Sequence, residues 1–168
     1  MARVAVKHLK PLDAYLPSYE FVARHDVAVA AGTGAAERAL REVTFREVPI
    51  LRALLFLRGL GAGRADEPVL AAMARRATVL DDVAGEGLVL CVRGRFWRLR
   101  GGGAEPEATA VVDFRAGDGS LTTETRVHVP AGRSRRRFAR YWRVVRPFSG
   151  ITRILVLRAA KRRAEAAR

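Results

Sequence analysis

RSRRRFARYWRVVRPFSGITRILVLRAA, residues 133–160, interleaves arginines with aromatic and aliphatic side chains. Phe138, Tyr141, Trp142, Val145, Phe148, Ile151, Leu155 and Ala159 recur at three- and four-residue spacing. That spacing predicts one apolar stripe along a long helix. Arg136, Arg140 and Arg143 fall on the opposite flank. Ser134, just after Pro-Ala-Gly, is the expected N-cap. Pro147 lacks an N–H and crowds the preceding turn, so a kink or a split is expected there, helped by Gly150. Rings and arginines are thereby separated: the rings need an apolar surface to face, and the arginines need water or an anionic partner.

The apolar surface is supplied upstream. YEFVARHDVAVA, residues 19–30, alternates with period two, placing Phe21, Ala23, His25, Val27 and Val29 on one face. TVLDDV and GLVLCVRGRFWRL are joined by Ala-Gly-Glu-Gly, and ATAVVDFR and SLTTETRVHV by Ala-Gly-Asp-Gly, which reads as two hairpins. In the last strand Leu121, Thr123, Thr125, Val127 and Val129 alternate with Thr122, Glu124, Arg126 and His128, and Glu124 and Arg126 point outward. Two short helices separate the first strand from the others. One is capped by Thr33, and one begins at Pro49 and stops at Gly59. A further helical turn is expected over VLAAMAR, residues 69–75. The expected class is α+β, a curved antiparallel sheet wrapped around the long C-terminal helix, the one element large enough to cover the apolar side. The chain reads as a single domain over residues 1–168, with a loosely ordered N-terminal segment over 1–17.

Composition bounds the function. A chain of 168 residues can bury about two-thirds of its unfolded surface, so a core or an internal cavity is within reach. The net charge is +14, and residues 133–168 hold 13 of the 31 basic residues against a single acid, Glu165. One cysteine, Cys91, excludes an intrachain disulfide; it alternates away from Phe96 and reads as packing. The N-terminus lacks the apolar core of a secretory signal. VPILRALLFLRGL, residues 48–60, is broken by Arg52 and Arg58 and too short to span a bilayer, so a cytoplasmic setting is expected. His8, His25 and His128 show no paired-ligand spacing, the glycine clusters lack a phosphate-loop context, and Asp81 and Asp82 point to opposite faces of a strand. No catalytic residue, metal or cofactor is indicated.

The element order, with GRFWR at Gly94–Arg98, TETRV at Thr123–Val127 and FARYWRVVRPFSG at Phe138–Gly150, resembles a bacterial branch of the START-like, or SRPBCC, helix-grip superfamily. That superfamily includes polyketide cyclases and lipid-transfer domains. The similarity covers residues 19–165. It implies a cavity between sheet and long helix that binds a small hydrophobic or amphipathic molecule, lipid- or polyketide-like. His25, Phe96, Phe114, Thr125 and Tyr141 would face that cavity. The family sheet usually has seven strands and five can be counted here, so a strand pair is expected to be trimmed between Trp97 and Ala110.

Each candidate has a plainer reading. His25 is either a core histidine bonded to a neighbour or a polar anchor on the cavity wall. Thr123 and Thr125 are either inward hydroxyls or ordinary strand residues. The aromatic stripe is either core or ligand box, with Tyr141 set apart because a buried hydroxyl needs a partner. Two other function classes stand beside ligand binding. One is a cyclase or aromatase, for which no catalytic motif is visible. The other is an anionic-surface module built on Arg136, Arg140 and Arg143. For that module a membrane is favoured over nucleic acid, because the rings needed for base stacking belong to the stripe that faces the sheet.

Overall fold

Period-two alternation yields five strands, and the computed structural model, which describes residues 8–57, 63–95 and 108–167, joins them in one open antiparallel sheet. The elements run β1 (Phe21–Ala28), α1 (Thr33–Glu42), α2 (Pro49–Leu57), α3 (Val69–Ala74), β2 (Thr78–Val83), β3 (Gly87–Gly94), β4 (Ala108–Gly117), β5 (Ser120–His128) and α4 (Arg133–Ala166). The sheet order is β1-β5-β4-β3-β2, so the first strand pairs with the last. The β4–β5 hairpin closes between paired Gly117 and Ser120 through Asp118 (φ 44°) and Gly119 (φ 70°). Two consecutive positive φ values match the twist of the flanking strands, and Asp-Gly tolerates them. The protein is α+β, as expected. Residues 96–107, which include Phe96 and the region of the expected strand trimming, lie outside the described residues, as does the expected helix stop at Gly59.

The inner face of the sheet is covered by more than the long helix. Leu88, Leu90, Val112, Phe114 and Leu121 pack against Ala36, Ala39 and Leu40 of α1, against Val69 and Leu70 of α3, and against Val156 and Leu157 of α4. The helices after β1 therefore fill the β3–β4 side, while α4 lies over β1 and β5. A second inner cluster joins Ala108, Ala110 and Val127 to Phe138, with Phe21, Tyr141 and Trp142 against it.

The outer face is covered too. Residues 8–16, part of the segment read as loosely ordered, lay Leu9 and Leu12 on Val83, Val89 and Val111, with Tyr15, Leu80 and Cys91 alongside. Polar ties hold this strap. Arg115 donates to the Lys10 carbonyl at 2.5 Å, Arg126 to Asp13 at 2.6 Å, and the Tyr15 hydroxyl to Asp81 at 2.7 Å. Burial, and then the Asp81 carboxylate, push the Tyr15 hydroxyl up to about 12. Tyr15→Phe removes one donor from the buried Asp81, so a loss of about 1–3 kcal/mol is expected in urea denaturation.

Three local expectations change. Thr33 and Ser134 are not N-caps: each lies inside the first turn of its helix, with Gly32 and Gly132 at the caps and no side-chain cap bond. Pro147 does not split α4, which is one 34-residue helix. The carbonyl that proline leaves without a helical partner belongs to Arg143; both residues are exposed, so water can satisfy it. Phe148 and Ile151 do not join the inward stripe. They are 53% and 50% exposed, while Gly150 and Thr152 are buried.

Candidate functional site

The middle of α4 inverts the usual amphipathic order. Phe138 and Trp142 face the sheet before it, and Val156, Leu157 and Ala160 after it. Between them, Ser149, Gly150, Thr152 and Arg153 take the inward and flanking positions while Val144, Phe148 and Ile151 face out. The sheet beneath explains the inversion. In the β1–β5 register His25 lies opposite Thr123, and Thr125 is one step along the same face, so the helix crosses a polar patch there.

At Gly150 the helix backbone lies on the imidazole. A Cβ at that position would be 3.0 Å from His25 Cε1 and 3.2 Å from Nε2, closer than side-chain carbons normally approach. Arg153 reaches the same patch from the next turn. Its Nη1 donates to Thr123 Oγ1 at 3.2 Å and its Nε to Ser149 Oγ at 3.3 Å. The Thr123 hydroxyl in turn donates to the Asp113 carbonyl at 2.6 Å. Among the described residues no carboxylate pairs with Arg153. Desolvation draws its guanidinium down to about 10, opposed only by the more distant charge of Asp113. Two further polar atoms here are sealed from solvent without a hydrogen-bond partner, His25 Nε2 and Thr125 Oγ1. Buried polar groups are ordinarily paired, and leaving one unpaired costs about 1–3 kcal/mol.

His25 is held below the usual histidine range, first by burial, then by the Arg153 and Arg146 charges, with Asp26 acting weakly the other way. The imidazole is therefore neutral at pH 7. Unfolded His25 takes up a proton below about pH 6.5 that the folded ring resists, so this group withdraws stability as the pH falls through that range. His25→Phe removes that contribution. Its stability relative to wild type should rise between pH 7.5 and pH 5.5 in denaturant titrations, the other titrating groups cancelling in the difference.

The remaining sequence candidates separate. Thr125 is 5% exposed and belongs to the patch. Phe114 is 2% exposed and sits in the main core under α1 and α3. Tyr141 is half-buried against Phe138, ring centroids 5.6 Å apart, one end removed from His25. Arg136, Arg140 and Arg143 are exposed, and none forms an ion pair with a described carboxylate. Ser149, Gly150 and Arg153 were missed. Their signal was present, since polar and small residues at 149, 150, 152 and 153 interrupt the stripe at the spacing that continues Trp142 and Val145.

Two surface concavities among the described residues lie elsewhere. One of about 440 Å³ is lined by His8, Thr33, Glu86 and Arg115, and one of about 370 Å³ by Pro49, Arg52 and Phe56. Among the described residues no group of three acidic, histidine or cysteine side chains is placed to hold a metal ion. A comparison of the chain with family models found no match, nor did comparisons with curated proteins and with solved structures.

Proposed function

We propose that the protein binds a small amphipathic molecule, lipid- or polyketide-like, between the sheet and α4 in the manner of a helix-grip fold. The observation that carries this reading is the polar patch under the middle of α4. A desolvated guanidinium without a carboxylate and two orphaned polar atoms are an arrangement that stability alone disfavours. A bound carboxylate would satisfy all three, accepting from Arg153, from the Thr125 hydroxyl and from His25 in its Nε2–H tautomer. The apolar body would lie along Phe21, four positions before His25 on β1, and along Trp142 and Phe138, eight and twelve positions before Gly150 on α4, which pack together in one cluster. Both orphaned atoms are sealed, so the head group reaches them as the middle of α4 lifts from β1.

Native mass spectrometry of the purified protein, and titration with a fluorescent polyene fatty acid, test this reading. Saturable binding near one molecule per chain is expected. Thr125→Val should weaken it several-fold while stability holds or rises, because the lost hydroxyl has no partner in the free protein. A protein that carries nothing and does not take up the fatty acid would falsify the reading.

A further inference from the structure

The outward side of α4 carries its own pattern. Val144, Phe148 and Ile151 are 64%, 53% and 50% exposed and follow one another at four- and three-residue spacing, so they form one apolar ridge. The same row continues into Arg140 before the ridge and into Arg158 and Arg162 after it, all three exposed. Arg136 and Arg143 flank the first end. No acidic residue occurs between Glu124 and Glu165, so nothing on this helix neutralises the arginines before its last turn.

We propose that this ridge docks on an anionic lipid surface, with Val144, Phe148 and Ile151 entering the boundary of the acyl region and the arginines meeting headgroup phosphates. The inference rests on the outer face alone and stands whether or not the space under α4 takes a ligand. A lipid interface meets both demands of the ridge at once, since it places anions beside an apolar phase. A second copy of the chain fits poorly, because two such faces would bring unneutralised arginines together. Nucleic acid would satisfy the charges and leave three apolar side chains in water, of which only Phe148 has a ring on which a base could stack. The helix would lie on the surface without crossing it, and among the described residues no helix is long and apolar enough to cross a membrane.

Sedimentation with phosphatidylcholine vesicles, with and without phosphatidylglycerol, tests the inference at low salt and at ~1 M salt, where the screening length is only ~3 Å. The wild-type chain should pellet with the anionic vesicles at low salt and not with the neutral ones. Phe148→Asp combined with Ile151→Asp should lower partitioning at least tenfold with the melting temperature kept, since both side chains are exposed. Arg140→Glu with Arg143→Glu should do the same. Wild-type protein that stays in the supernatant at low salt overturns the proposal. So does an aspartate pair that binds like wild type, which would leave charge adsorption without insertion. Retention by duplex DNA in place of vesicles also overturns it and assigns the arginines to nucleic acid.

Discussion

Arg153→Met is expected to stabilise the protein and to weaken its binding of a carboxylate ligand. Arginine is held in its cationic form at neutral pH with its guanidinium down to about 10, so the desolvation penalty is fully present there and is relieved only as the pH rises through that value. Its two hydrogen bonds, at 3.2 and 3.3 Å, go to hydroxyls and not to a carboxylate. Removing the side chain strands no buried donor, because the Thr123 hydroxyl keeps its bond to the Asp113 carbonyl. Methionine fills a similar volume without the charge. Arg153 retains partial exposure, which moderates the gain to about 1–3 kcal/mol, or roughly 2–10 °C in melting temperature. The loss of the charged partner should weaken a fatty acid at least tenfold and leave the matching fatty alcohol nearly unchanged. His25 supplies an independent readout: one of the two charges that depress it is removed, so its pKa should move up in an NMR titration. A melting temperature that falls would mean that the guanidinium is satisfied in the free protein and that the site has no vacant cation.

Phe138→Ala and Phe148→Ala make the same chemical change ten residues apart on one helix and are expected to differ by several kcal/mol. Phe138 is 1% exposed and touches rings on two elements, Phe21 edge-on with centroids 4.7 Å apart and Trp142 at 5.8 Å. Truncation there removes a buried ring from the seam between β1, β5 and α4 and should cost about 3–5 kcal/mol. A total stability of about 5–15 kcal/mol leaves little margin, so Phe138→Leu provides a milder companion that remains folded. Phe148 is 53% exposed, and its truncation should stay within about 0.5 kcal/mol of wild type in the same urea experiment. Equal losses at the two positions would put both rings in one stripe and remove the outward ridge.

Regular spacing along the chain decided most of the architecture. Alternation over residues 19–30, 78–83, 87–99, 108–115 and 120–129 is a local consequence of strand geometry, and a strand lies in each of those runs, residues 96–99 falling outside the described ones. The Asp118-Gly119 pair names its own turn, because few other residues take two positive φ values in succession. The apolar recurrence over residues 138–159 announces a long helix, while the split expected at Pro147 does not occur. His25 and Thr125 were found among the inward positions by the same alternation.

The partners of those faces were decided by the folded molecule. A 3.6-residue period is satisfied almost equally by Phe148 or Ser149 and by Ile151 or Thr152. The apolar member of each pair looks preferable until something polar lies opposite. Here β1 and β5 present His25, Thr123 and Thr125 at that height, so Ser149, Thr152 and Arg153 take the inward side while Phe148 and Ile151 turn to solvent. The strap of residues 8–16 has the same origin: its apolar residues are few, and only the sheet's second face shows what they cover. The sequence by itself determined which segments are strands and which are helices, because those depend on neighbours along the chain. Tertiary structure alone decided which side of α4 is inside and which polar groups were left without partners, because those depend on residues more than twenty positions away.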